Sequence, residues 1–232
     1  MKSEGFTNSI EKTDKPVSRI GILGSATVGQ TLGKAFLTEG HSVMLGSRNA
    51  HKPELAQWRQ DNPKGETGTF QETAQFGELL VLAVAGEGAE EAVRLGGKEN
   101  FTGKIVIDAT NPIDKKPPVN GVLAFFTTLD DSLMERLQRL VPEARLVKAF
   151  NSVGSDFMYK PSFPGGMPTM FICGNDAAAK QTVTGILTAF GWETEDMGQA
   201  ESARAIEPLC LLWCIPGFLR NQWTHAFKLL KL

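Results

Sequence analysis

A chain of 232 residues is long enough for one α/β domain with an appendage, and its formal charge of −2 leaves no basic footprint for nucleic acid or an anionic membrane surface. The three cysteines, Cys173, Cys210 and Cys214, show neither zinc nor C-x-x-C spacing, which fits a reducing, cytoplasmic setting. The most apolar run, Leu209 to Leu219, is broken by Pro216 and Gly217 and falls short of the length that spans a bilayer.

Residues 1–18 are polar and irregular, lack the apolar core of a signal peptide, and read as a disordered leader. The next stretch organises the chain. Arg19 to Leu23 is an apolar run of strand length, the turn Gly24-Ser25-Ala26-Thr27-Val28-Gly29 follows, and Leu32, Ala35, Phe36 and Leu37 then recur at helical spacing up to a C-cap at Gly40. A second strand, Ser42 to Leu45, completes a βαβ unit. The start of such a helix leaves backbone N–H groups free and carries the positive end of the helix dipole, so a dinucleotide pyrophosphate fits there. Gly24 permits the tight turn, and Gly29 lets the helix lie close to the strand. Ala26 stands where the G-x-G-x-x-G pattern has its second glycine.

The end of the second strand points to the cofactor. An NAD site places an acid about 20 residues after the glycines to hold the ribose 2′-hydroxyl. Here Ser47 and Arg48 occupy that place, with Lys52 one turn on. A guanidinium and a hydroxyl attract a 2′-phosphate that a carboxylate would repel, so NADP is preferred; the plainer reading of Arg48 is a surface arginine after a strand.

Farther along, helices are expected over His51–Gln60, with Pro53 in the first turn, and over Gln71–Phe76 and Glu87–Leu95. Thr67–Phe70 reads as a short strand, and Leu79–Val84 as a strand covered on both faces, ending in Ala85-Gly86. Lys104–Asp108 is the next strand. It runs into Asn111-Pro112, where the proline holds Asn111 extended, either to bond a cofactor or to brace the turn. Ser132-x-x-Glu135 is a capping box that opens a helix to Leu140, and Arg145–Lys148 is a strand ending in Ala149-Phe150-Asn151. Then come a strand (Thr169–Cys173), a helix (Asp176–Phe190), a strand (Glu193–Met197) and two helices, Ala200–Cys214 and Gly217–Leu230. The repeated strand–helix–strand order implies an α/β, Rossmann-type, doubly wound and mainly parallel sheet, with ligands at its carboxyl edge. Residues 19–150 form the dinucleotide-binding domain. Residues 151–232 form a smaller α/β subdomain with a helical extension, completing the sheet and covering the nicotinamide site.

The segments IGILGSATVGQTL, VMLGSR, VIDATNPI, LVKAFNSVG and GWETEDMGQAESARAIEPL, in this order, resemble the coenzyme F420-dependent NADP oxidoreductase family, whose relatives include the reductase domains of membrane metalloreductases. The resemblance runs from about residue 19 to about residue 215, and Ala26 at a family glycine is its departure. It implies that Ser25 to Val28 hold the pyrophosphate, and that Ser47, Arg48 and Lys52 hold the 2′-phosphate. Val84, Ala85 and Gly86 would line the ribose and phosphate path, with Asn111, Pro112, Ala149, Phe150 and Asn151 at the nicotinamide end. It also implies hydride exchange with F420 or a flavin as second substrate, where orientation does the work and no catalytic side chain is required.

No partner pattern surrounds His41, His51 or His225, and Tyr159 has no lysine three or four residues on. Arg204 and Glu207 are expected to form an ion pair on a helix surface. Trp192, Trp213, Trp223, Phe218 and Phe227 read as core or as a homodimer contact. Of the loop lysines 115, 116 and 160, none forms a clear basic cluster for an anionic acceptor tail. An NADPH-dependent oxidoreductase with no metal site is therefore the leading reading. Reduction of a small carbonyl or imine is one alternative, and an NADP-binding sensor without turnover is another.

Overall fold

The computed structural model describes residues 19–232, so the expected leader lies outside the described residues. Six strands, β1 (Arg19–Leu23), β2 (Ser42–Ser47), β3 (Gly65–Thr69), β4 (Leu79–Leu82), β5 (Ile105–Asp108) and β6 (Arg145–Lys148), form one parallel sheet in the order β3-β2-β1-β4-β5-β6. This is the doubly wound Rossmann arrangement, with its switch point between β1 and β4. Period-two alternation divides the apolar residues between two layers. Ile20, Ile22, Val81, Ile107 and Val147 face one core with α1 (Thr27–Thr38), α2 (Pro53–Asp61) and α6 (Ala177–Ala189). Leu23, Leu80, Leu82, Val106 and Leu146 face the other, with α3 (Phe70–Phe76), α4 (Ala89–Gly96) and α5 (Leu133–Leu140).

Local chemistry sets the helix ends. Gly40, at φ +91°, closes α1 with His41 N–H on the Phe36 carbonyl and Gly40 N–H on Leu37. Pro53 opens α2, and Ser132 with Glu135 makes the expected capping box at α5. A second capping box, Thr69 with Glu72 at α3, is legible as T-x-x-E.

Two expectations for the C-terminal part are corrected. β7 (Thr169–Ile172) and β8 (Glu193–Asp196) do not complete the sheet; they pair with each other in a separate two-stranded parallel sheet. β7 meets β6 only at an antiparallel Lys148–Cys173 bridge, so its direction is wrong for continuing the parallel ladder. No helix covers 217–230 either. After α7 (Ala203–Ile206), α8 runs from Leu209 to Arg220 and stops at Asn221, whose φ of 53° is left-handed. The tail folds back so that Trp223 lies under Gly217, where any Cβ would strike the indole, and Phe227 accepts from Thr169 N–H. Trp223 and Phe227 are thus partly buried at helical spacing without a helix.

The helical stretch 200–220 is also longer than the apolar run suggests: its 21 residues and mean hydropathy of 1.2 meet the length and composition of a membrane-crossing helix. Its Ala203, Ile206, Cys210, Trp213 and Cys214 nevertheless pack against the rest of the chain.

Candidate functional site

The carboxyl ends of β1, β2 and β4 border a cleft of about 520 Å³. Gly24, Ser25 and Ala26 form its floor, Ser47, Arg48 and Lys52 one wall, and Val84, Ala85, Glu87 and Glu91 the opposite wall. Gly24 has φ +139°, and a Cβ there would strike the Ala83 carbonyl; a Cβ on Gly29 would strike the Gly24 carbonyl. Both glycines are therefore required, one by conformation and one by close approach. Ala26 is the N-cap of α1 at φ −82°, ψ −176°, with no side-chain cap, so the helix start stays open. Thr27 and Val28 lie in the first turn and do not line the cleft; what they offer it is backbone.

At the far end of β2, Ser47 is buried and its Oγ accepts Asn49 N–H at 3.3 Å, while Asn49 Oδ1 accepts His51 N–H at 2.9 Å. These two bonds fold the chain so that Arg48 and Lys52 both reach the cleft. Neither has an ion-pair partner among the described residues. Two uncompensated cations beyond an open helix start and a turn whose Gly24 has no room for a Cβ fit a dinucleotide carrying a 2′-phosphate.

At the expected nicotinamide end, the side chains of the two strand ends bond one another. Asn111 Nδ2 donates to the Asn151 carbonyl at 2.7 Å, and Asn151 Nδ2 donates to Asn111 Oδ1 at 3.3 Å and to the Ile206 carbonyl at 2.9 Å. Of the two roles open to Asn111, this bond fills that of a brace between strand ends. Asn151 Oδ1 is buried without a hydrogen-bond partner among the described residues. Pro112 and Gly86 are buried; a Cβ on Gly86 would strike the Asn111 carbonyl, so that glycine serves packing. The Ala149 and Phe150 side chains lie in the core, Phe150 against Phe190, so what these two residues present at the strand end is backbone. The reason is register, since Ala149 follows β6 on the same face as Val147. Phe150 is left-handed at φ 62°, uncommon for a bulky residue, and this kink precedes Asn151.

Sequence reasoning missed a buried charge cluster beneath this end. Lys148 is fully buried, its Nζ lying 2.7 Å from Asp108 Oδ2 and 2.9 Å from Glu207 Oε1 and donating to the Thr110 carbonyl at 2.9 Å. Glu207 also accepts Leu133 and Met134 N–H, each at 3.0 Å, which caps α5 from another segment. Burial alone would push the Lys148 ammonium down, but the two carboxylates outweigh it and lift the group to about 12. The expected Arg204–Glu207 surface pair is corrected accordingly. Arg204 makes a two-pronged contact with Glu135, at 2.9 and 2.6 Å, while Glu207 turns inward to Lys148. The signal available was the charged residue that ends each strand after an apolar pair, Asp108 after Val106-Ile107 and Lys148 after Leu146-Val147.

The remaining candidates fall elsewhere. Lys160 and the Tyr159 hydroxyl both engage Glu39 at the far end of α1 from the cleft. Lys116 pairs with Asp114, whereas Lys115 lines the cleft and pairs with Glu87 at 2.9 Å. His225 stacks on Trp213, His41 packs edge-on against Phe36, and His51 is exposed in the turn before α2. Trp192 is core, Trp213, Trp223 and Phe227 form a third cluster, and Phe218 is exposed.

Residues 19–112 match the family described as NADP oxidoreductase, coenzyme F420-dependent. A crystal structure from Arthrobacter sp. FB24, described as a putative F420-dependent NADP-reductase, is 32% identical and superposes with a TM-score of 0.86, covering 93% of this chain and all of that one. The F420-dependent NADP reductase of Methanothermobacter marburgensis is 29% identical over 224 residues, 91% of this chain and 99% of its own. The metalloreductase STEAP3 of Rattus norvegicus is 32% identical over 221 residues; 91% of this chain matches, spanning 41% of that protein. The open helix start, the Gly24–Ala26 turn and the two cations at the end of β2 sit inside that match, and the chain belongs to the coenzyme F420-dependent NADP oxidoreductase family as an NADP-dependent oxidoreductase.

Proposed function

We propose that the protein transfers hydride between NADP(H) and a flavin-like acceptor, with the deazaflavin F420 first among candidates. The observation that carries this is the alignment, nearly end to end, with proteins described as F420-dependent NADP reductases, in a chain that has the cleft such a cofactor needs. When bound, the dinucleotide supplies hydride from C4 of its nicotinamide. The α1 start and the Gly24–Ala26 turn hold the pyrophosphate, and Ser47, Arg48 and Lys52 select the 2′-phosphate. The Asn111–Asn151 brace fixes the strand ends against which the ring is oriented. The chemistry then needs geometry more than a titrating group. The charges nearest that brace, Asp108, Lys148 and Glu207, are engaged with one another, which favours this reading over an imine or carbonyl reductase that must deliver a proton.

Stopped-flow absorbance at 340 nm, with NADPH mixed against F420, FMN and FAD, tests it. Oxidation by F420 or a flavin at a rate saturating in acceptor is expected. Tight NADPH binding with no oxidation by any of the three would favour a sensor, and turnover only with imines or carbonyls would replace the acceptor class. We also propose a cytoplasmic homodimer. It is supported by free, buried cysteines and by the apolar side chains that α8 leaves exposed at Leu212, Phe218 and Leu219.

A further inference from the structure

We propose that Lys115 is a ligand of the dinucleotide pyrophosphate, held at the cleft by Glu87 and handed over to the phosphates on binding. The inference rests on the NADP reading of the cleft and adds a residue from a loop that the glycine-turn motif does not contain.

Three observations carry it. The first is placement. Five charged side chains line the cleft: Arg48 and Lys52 on the β2 side, and Glu87, Glu91 and Lys115 on the β4 and β5 side. Lys115 is thus the cation that borders the cleft on the β4 and β5 side, among the residues lining it. A pyrophosphate at that helix start would otherwise meet two carboxylates across the cleft, an arrangement that repels it.

The second is preorganisation. Lys115 sits on the 113–125 loop, whose root is fixed: Asp114 N–H donates to the Ala124 carbonyl at 2.8 Å and Phe126 N–H to the Pro112 carbonyl at 2.9 Å. Ile113 bridges Phe125 in antiparallel fashion. The lysine therefore starts from a defined position beside Glu87, in the short turn Gly86–Gly88 that follows β4.

The third is the weakness of the present partner. The Lys115 side chain is 84% exposed, and its 2.9 Å contact with Glu87 is a surface ion pair, the kind that adds little to stability. A pyrophosphate offers two anionic phosphates where Glu87 offers one carboxylate. Glu87 is then a competitor that keeps Lys115 at the cleft mouth and yields it to the ligand.

The pyrophosphate is common to NADPH and NADH, so this contact is blind to the 2′-phosphate. Lys115→Met should weaken both nucleotides by about fivefold and leave their ratio unchanged within about twofold, while Lys115→Arg keeps most of the affinity. Glu87→Gln should tighten both by about twofold to fivefold. Lys116→Met, one residue on but paired with Asp114 outside the cleft lining, should change neither. The measurement is direct titration by nucleotide fluorescence and calorimetry at two salt concentrations. The Lys115→Met effect should shrink at the higher one, and circular dichroism melts would confirm that each variant folds.

Equal responses of Lys115→Met and Lys116→Met would overturn the proposal, as would a Lys115 effect confined to NADPH. Weaker binding by Glu87→Gln would overturn the handover, since the carboxylate would then be helping the ligand. Arg48→Ala, titrated in parallel, separates this from the parent reading. Selective loss of NADPH there beside a silent Lys115→Met sinks the pyrophosphate contact alone. No selective loss at Arg48 sinks the NADP assignment itself.

Discussion

Replacing Lys148 with methionine tests the buried charge cluster under the strand ends most directly. Methionine keeps the apolar stem and its volume, so packing changes little, but Asp108 and Glu207 lose the ammonium that lies 2.7 and 2.9 Å from them. Removing one member of a buried ion pair costs about 3–5 kcal/mol, because an uncompensated charge is left behind. Both carboxylates keep other donors: Asp108 Oδ1 accepts Thr110 N–H and Oγ–H, and Glu207 accepts two N–H groups at the start of α5. The loss should therefore fall at the lower end, about 3 kcal/mol.

The pH dependence fixes the cause. The folded-state ammonium is raised to about 12 from an ordinary 10.5, so its stabilisation is complete below pH 10.5 and disappears as pH rises through 12. That lift corresponds to about 2 kcal/mol between the two protonation states. Urea unfolding of both proteins should show a constant stability gap from neutral pH to about 10, then a gap narrowing by about 2 kcal/mol toward pH 12. Groups whose surroundings the substitution leaves unchanged cancel in the difference. A gap under about 1 kcal/mol at pH 7, or one that widens in alkali, would refute the claim that the charge cluster holds these elements together.

Arg48→Ala should weaken NADPH tenfold to a hundredfold while leaving NADH nearly unchanged, because a charge-assisted contact worth about 1.5–3 kcal/mol is made to the 2′-phosphate alone; calorimetry with both nucleotides checks it. Ala26→Gly should keep or improve NADP affinity with the thermal midpoint held, since the N-cap at φ −82° is unstrained and glycine is an acceptable cap; a tenfold loss would mean that the turn does not hold the pyrophosphate. Ala149→Leu should destabilise the fold by about 1–3 kcal/mol through overpacking, because Ala149 is fully buried in the core, and a denaturant midpoint unmoved by the change would contradict that placement. If α8 forms the dimer contact, Leu212→Glu should lower the mass seen by light scattering to that of one chain while NADPH binding persists.

The parts of this protein legible in the sequence are those set by geometry within one turn or one strand. Ile20 and Ile22 against Leu23, Ser132 with Glu135, Gly24 and Gly29 around an open helix start, and Arg48 one step beyond Ser47 are all local relations. The periods of 2 and 3.6 and the rules of capping are properties of the backbone, so the Rossmann sheet and the residues that line the β1 and β2 side of the cleft could be read in advance. Periodicity failed where backbone ends and packing begins. Trp223 and Phe227 have helical spacing, yet left-handed Asn221 turns them back onto α8, and β7 carries a strand pattern that says nothing of its direction against β6. Lys148 and Glu207, or Glu87 and Lys115, are ion pairs only because distant segments meet. Whether a carboxylate faces water or is buried beside an ammonium depends on desolvation against pairing, and that balance exists only after the chain has closed its loops. Tertiary structure therefore decided which charges brace the strand ends and which line the cleft.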